Sequence, residues 1–339
     1  MTALLIEPHA KALRRAVRSG APEIAVKASH EPIDLGGDWV RWDQQTDGVI
    51  DLGGNTYVNG GFLLFECERM HFLRGRIRSG NEGRADLNAF VVNASSQIVA
   101  ENLSLELAPD QNASACAYDN TEKWAKDVTF RHCVFAWGHR EGPGMPSLGH
   151  SMGVLVAGRF DRVAFHECLF AYNQDRNPRI TAESYYVPAN YVSRAGVYGS
   201  VVYKGERQAY FGTLGEKVRL VADCIGTTFL HAEVPTQPAI VLEGGVGLYL
   251  QDCATRARLN SGAPYDQALV GIGYGSELTP EQALLGYFLA TPVGLAAALP
   301  RAQSAQNVMR YAGCRPLDET DQGLFDEVAE ALAMERDRG

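Results

Sequence analysis

One near-repeat constrains this chain more than anything else in it. The segment VTFRHCVFAW, from Val128 to Trp137, returns as VAFHECLFAY from Val163 to Tyr172. In each copy a phenylalanine, a polar pair and a cysteine follow in the same order. A chain that repeats such a unit every ~20–45 residues buries its apolar face by stacking one copy on the next. Other short runs fit the same frame when placed on a common bend position: Gly75, Asn102, Cys133, Cys168, Ser200, Cys224 and Cys253. Each has an apolar residue three positions earlier, namely Phe72, Val99, Phe130, Phe165, Val197, Val221 and Leu250. The column reads as a sharp turn repeated coil after coil, with strands about 4.8 Å apart. The cysteines in it read as small buried side chains.

The reading is therefore all-β: a single right-handed parallel β-helix with a short N-terminal helical cap and a helical C-terminal segment. Thirty-five glycines in 339 residues suit many short strands and turns. In HAKALRRAVRS, Ala10, Leu13, Ala16 and Val17 share one helical face before Gly20 and Pro22, which predicts a cap over residues 1–23. The coils occupy 24–260. Residues 261–339 form a tail, with helices expected after Thr279-Pro280-Glu281, in SAQNVMRYAG (304–313) and in LFDEVAEALAMER (324–336). The apolar run Ala283–Leu299 holds a proline and two glycines and reads as a cap or an oligomer contact rather than a membrane span.

A net charge of −9 argues against nucleic acid as a partner. Seven cysteines without a CxxC pair argue against a zinc knuckle and a disulfide framework. The N-terminus lacks the basic region and cleavage site of a signal peptide, so synthesis and folding in a reducing cytoplasm are expected.

The opening tandem, completed by NQDRNPRI, resembles the polysaccharide lyases of the pectate lyase superfamily. That family carries a DHCSFSWG-DE-like segment followed by an FHHNLFAHN-RNPRI-like one. The likeness extends to LRRAVRSGAPEIAV, AGVYGSVVYKG and LDETDQGLFDEV. It implies β-elimination on a uronic-acid polymer, with a calcium ion binding the substrate carboxylate and an arginine as base. Arg176 falls where that arginine sits, with Pro178 retained. The family's second arginine is Thr181 here, and two expected acids are Arg131 and Arg140, leaving Glu141 alone. Calcium prefers six to eight oxygens, so no metal site of the family type is expected and no other cofactor is implied.

Between Arg131 and Arg179 stand six arginines and four histidines against four acids, in a chain that is acidic overall. This reversal predicts an anion-binding groove formed by Arg131, His132, His139, Arg140, His150 and Arg179 beside Arg176, with Tyr185 and Tyr186 offering sugar-stacking faces. The expected partner is an acidic polysaccharide, bound and, where Arg176 acts as base, cleaved. His166 reads as a satisfied structural histidine. A second class of function stays open: a non-catalytic virion spike, fibre or baseplate component, joining a homo-oligomer or other virion proteins. The missing signal peptide fits that alternative.

Overall fold

The computed structural model describes residues 3–80, 86–118, 122–139, 151–188, 190–205, 207–216, 218–230, 238–255, 269–273, 275–278 and 299–336. Each coil of the chain supplies three strands. Gln111–Ala117, Ala125–Arg131 and Val134–Ala136 make one coil, and Met152–Gly158, Phe160–His166 and Leu169–Ala171 make the next. Corresponding strands pair in parallel: Val154 opposes Ala113, Phe130 opposes Phe165 and Phe135 opposes Phe170. The result is a parallel β-helix with three faces. Sheet A carries Ala125–Arg131 and its equivalents, sheet B carries Val134–Ala136, and sheet C carries Gln111–Ala117. Two long strands, Glu68–Arg78 and Ser96–Glu106, run through the A-to-B corner and join those faces.

Parallel stacking at fixed register puts like on like. Phe130 lies over Phe165 with centroids 5.2 Å apart and planes at 5°, and Phe135 over Phe170 at 5.0 Å and 20°. Trp42, Phe62, Phe72 and Phe90 continue this spine edge to face. All of these side chains are fully buried. Such pairs contribute about 0.5–1.5 kcal/mol beyond their burial.

The A-to-B corner repeats one device. A residue in the left-handed region (Arg74, Asn102, His132, Glu167 or Asp252, φ 48–54°) turns the chain, and glycine does so at Gly199 and Gly226. Where the next residue is Cys, Ser or Thr, it donates from its side chain to the carbonyl two positions back. Cys133 Sγ donates to Arg131 O at 3.4 Å, Cys168 Sγ to His166 O at 3.4 Å, Ser200 Oγ to Tyr198 O at 3.3 Å, and Thr227 Oγ1 to Ile225 O at 3.4 Å. The column is therefore Gly75, Leu103, Cys133, Cys168, Ser200, Thr227 and Cys253. Two of the expected positions move: Asn102 is the left-handed residue itself, and Cys224 pairs with Val197 in the core row. Correspondingly Ala100 and Cys224, not Val99 and Val221, face the core beside Phe72, Phe130 and Phe165. All seven cysteines are free, and six are buried. Burial raises the Cys67 thiol, and with the neighbouring Cys133 that of Cys168, as suits packing rather than reaction.

Helix α1, Ala10–Arg18, buries Leu13, Ala16 and Val17 against the first coils, and His9 caps it by accepting from Ala12 N–H at 3.0 Å. The tail forms helices α2, Arg301–Tyr311, and α3, Glu319–Arg336. They cover sheet B, where Val134, Leu169, Val201 and Leu230 meet Val308, Leu324, Phe325 and Val328. The expected helix after Thr279 and the run Ala283–Leu299, apart from Leu299, lie outside the described residues. Among the described residues no helix is long and apolar enough to cross a membrane.

The tail is fastened by charge. Arg76 Nε donates to Asp321 Oδ2 at 2.7 Å and Arg78 Nη1 to Asp318 Oδ2 at 2.6 Å, while Arg78 Nε also meets Glu106 at 2.7 Å. Asp321 and Glu106 are fully buried. Removing one partner of a buried pair leaves an uncompensated charge and costs about 3–5 kcal/mol. Arg76→Met, which leaves buried Asp321 and Glu106 short of a cation, is therefore expected to lower unfolding free energy, read by urea denaturation, by about that amount. The more exposed Asp318→Asn should lose clearly less; equal losses would show that burial of the pair is not what holds the tail.

Candidate functional site

The B-to-C corner is where each coil leaves the tail-covered face and enters sheet C. It is built on buried asparagines. Asn173 Nδ2 donates to Phe135 O at 2.9 Å and to Asn177 Oδ1 at 2.8 Å, and Asn173 Oδ1 accepts from Asn112 Nδ2 and from Gly138 N–H, each at 2.9 Å. Asn177 Nδ2 reaches Arg207 O at 3.0 Å. These bonds hold the loop from Tyr172 to Pro178, including the cis Asn177–Pro178 bond, across three coils.

Arg176 sits in that loop with φ 65°, in the left-handed region. Its carbonyl accepts from Val154 N–H at 2.6 Å, and a Cβ on Gly153 would lie 2.3 Å from the same oxygen, so glycine is what allows the approach. The backbone of Arg176 is thus fixed at the entry to sheet C. Its Nε and Nη1 are buried and make no hydrogen bond among the described residues. Burial lowers the Arg176 pKa; Asp110 opposes this, Arg179 adds to it, and Asp175 and Tyr118 oppose it. A partly desolvated cation with idle donors is an uncommon arrangement, because buried charges are ordinarily paired.

The strand Arg179–Glu183 presents Arg179, Thr181 and Glu183 on its outer face while Ile180 and Ala182 point into the core. Arg179 lies 4.8 Å over the Tyr210 ring, and Tyr210 OH donates to Glu243 Oε2 at 2.7 Å. Burial raises the Glu183 carboxyl, with Arg179 opposing. Tyr186 meets Tyr118 edge to face at 5.2 Å. Tyr185 is 88% exposed.

The structure divides the expected groove. Arg176, Arg179 and Tyr186 gather on sheet C, and His139, whose N–H donates to Ala108 O at 3.0 Å, stands in the same corner. Arg131 and His132 belong to the A-to-B corner instead. Arg131 Nη2 is bound to Glu101 at 2.7 Å. His132 Nε2 lies 2.8 Å from Glu167, whose other oxygen accepts from Asn307 of α2, and the His132 ring packs against Tyr311. Both side chains sit in the structural framework of another face, apart from Arg176. Arg140, Glu141 and His150 lie outside the described residues. His166 differs from expectation too: its ring stacks on Tyr198 at 4.6 Å, but its Nε2 is buried without a partner, and burial beside Arg131 and His132 lowers its pKa to about 3.

Sequence reasoning missed Asp110, Tyr118, Glu183 and Tyr210, which reach the site from four different strands or corners. Only the coil register brings them together. Among the described residues no group of three or more His, Cys, Asp or Glu side chains is placed to hold a metal ion.

No protein-family model and no curated protein matches the chain. Among solved structures, a pectate lyase from Bacillus sp. N165, in complex with trigalacturonate, is similar at 12% identity with a TM-score of 0.57, over 91% of this chain and 93% of that one. Pectate lyase II from Xanthomonas campestris aligns at 12% identity with a TM-score of 0.48, over 93% and 94% of the two chains. The chain has a pectate-lyase-like parallel β-helix fold. At such identity the similarity speaks for the fold alone.

Electrostatics at the A-to-B corner give a test of the division. Burial acts to raise Glu101, but the hydrogen bonds of His71 and Arg131 outweigh it and hold the carboxyl at about 2. A depressed acid stabilises the fold above its unfolded pKa of about 4.3, and that stabilisation is lost as pH falls toward 2. Glu101→Gln is expected to be less stable at pH 7 and to show a flatter acid limb in thermal melts between about pH 5 and 2. An unchanged acid limb would mean the Arg131–Glu101 contact does not persist in solution.

Proposed function

We propose that the sheet C face around Arg176 binds a uronate-bearing acidic polysaccharide and cleaves it by β-elimination. The observation that carries this reading is the Arg176 guanidinium, desolvated, directed by a fixed backbone, and left with two unengaged nitrogens. Arg179 supplies the second requirement. A guanidinium binds a carboxylate through two parallel hydrogen bonds, and its seat on Tyr210 leaves it turned along the face. The Tyr186 and Tyr210 rings add apolar surface for sugar rings.

Elimination begins by removing the proton beside the carboxylate, which builds enolate-like charge on that group. Preorganised cations at that point lower the barrier. Arg179 is the group that faces the carboxylate, and Arg176 is the base. An arginine ordinarily keeps its proton at any accessible pH, with a pKa above about 12. Burial and the neighbouring Arg179 shift Arg176 in the direction a base requires. Activity then rises with pH as the neutral guanidine becomes more populated.

The test is release of unsaturated uronate, followed by ultraviolet absorbance, across a panel of acidic polysaccharides. Wild-type protein is expected to act without added metal and to keep its rate in a chelator. Arg176→Ala should lower kcat by roughly 10²–10⁴-fold, the usual contribution of a positioned base. Arg179→Ala should raise KM. A protein that neither cleaves nor binds any polyuronate in calorimetry refutes the reading and leaves the scaffold as a binding or assembly element of another kind.

A further inference from the structure

The reaction proposed above needs an acid as well as a base, because the departing glycosidic oxygen leaves poorly as an alkoxide. Tyr118 follows directly on the strand Gln111–Ala117, which lies on sheet C two coils from the strand of Arg179. Register sets Ala117 over Gly158 and Gly158 over Ala182, so Tyr118 stands in line with Glu183. Gly158 has φ 70°, and a Cβ there would lie 3.1 Å from Tyr118 Cδ1; its absence lets the ring fold down onto the face. The ring then meets Tyr186, whose own N–H donates to Glu183 O at 3.1 Å. On this face Ser114, Cys116, Ala157 and Thr181 are small and buried beneath the longer side chains. The charge of Arg176 is felt both at Asp110, before that strand, and at Tyr118, after it.

We propose that Tyr118 is the general acid of the elimination, delivering its phenolic proton to the oxygen that leaves C4 as Arg176 takes the proton from C5. The inference rests on the reading of Arg176 as base. The C5–H electron pair becomes the C4–C5 double bond, the C4–O bond breaks, and the released oxygen leaves as a hydroxyl. The guanidinium returns its proton to the phenolate, so both groups are restored and no co-reactant is consumed. The candidate donors differ in when they carry a proton. A base of arginine type works at alkaline pH, where carboxylic acids and imidazoles of ordinary pKa have no proton to give; a phenol, with an ordinary pKa near 10, still holds its proton. Burial first, then Cys116 and Glu183, push Tyr118 upward, while burial pushes Arg176 downward.

The experiment compares Tyr118→Phe with wild type on two substrates: the polyuronate cleaved best, and a short uronide bearing fluoride at C4, which leaves without a proton. Tyr118→Phe is expected to lower kcat on the polymer by roughly 10²–10⁴-fold, with little change in KM and an unchanged rate of fluoride release. Equal losses on both substrates would assign Tyr118 to packing and overturn the proposal, as would full activity on the polymer. If wild type is silent on both substrates, the Arg176 reading falls together with this one. If Arg176→Ala is inactive on both while Tyr118→Phe is unimpaired, the acid assignment alone falls.

Discussion

Register between coils is the constraint on which the rest of this molecule depends. Because every sheet pairs in parallel without slippage from Val128 and Val163 onward, a side chain at one position finds its counterpart directly above it. That geometry rewards identical neighbours: Phe130 on Phe165 in the core, and Cys133 over Cys168 over Ser200 at the corner. It also explains the choice of cysteine, serine and threonine there. Each closes the turn by giving a hydrogen to the carbonyl two residues back, a job open to a small side chain with one donor and closed to alanine. The coils differ greatly in length, yet the register survives, because insertions leave from corners and return to the same ladder.

The same stacking decides which charges are structural. At the A-to-B corner the left-handed residues Asn102, His132, Glu167, Gly199 and Gly226 form a rail along which the tail is laid, meeting Tyr311, Gly313, Asn307, Ser304 and Leu299 in turn. Farther along, Arg76 and Arg78 hold Asp318 and Asp321. Burial and the adjacent Asp321 raise Glu106, with Arg78 opposing, which shows how crowded the negative side of that network is. Arg131, which the linear sequence offers to a ligand, is here engaged by Glu101 a coil away.

The fold was legible because its signal is local and repeated. Phe130-x-x-Cys133 and Phe165-x-x-Cys168 announce both the inward row and the turn, and the cap over Leu13, Ala16 and Val17 follows from simple helical spacing. The column misleads where a residue type suits two rows. Asn102 is a good left-handed residue standing one position before the turn-closing row; Cys224 is a core cysteine that imitates a corner one. The site was less legible. Arg176 and Arg179 could be found from their motif, and their charge reversal was visible, but Arg131 and Arg176 share that charged stretch and lie on different faces. Tyr118, Asp110 and Tyr210 carry no local signal, since what makes them neighbours is coil number and strand offset.

Among the described residues Arg176 contrasts with coil arginines that are held by carboxylates. Arg78 has Glu106 and Asp318, Arg162 has Asp127, and Arg194 has Asp161. A desolvated guanidinium with idle nitrogens is stable only if the surrounding structure fixes it, and here the asparagine ladder, Gly153 and the Val154 N–H do so from the backbone side. The fold thus spends three coils of hydrogen bonding on placing one cation where its partners are incomplete. In a chain of net charge −9, that is a local, directed deficit of negative charge rather than a general attraction for polyanions. A ligand carboxylate on the outer face of sheet C would complete it, and the tyrosines gathered around the same surface define the chemistry of what else such a ligand must carry.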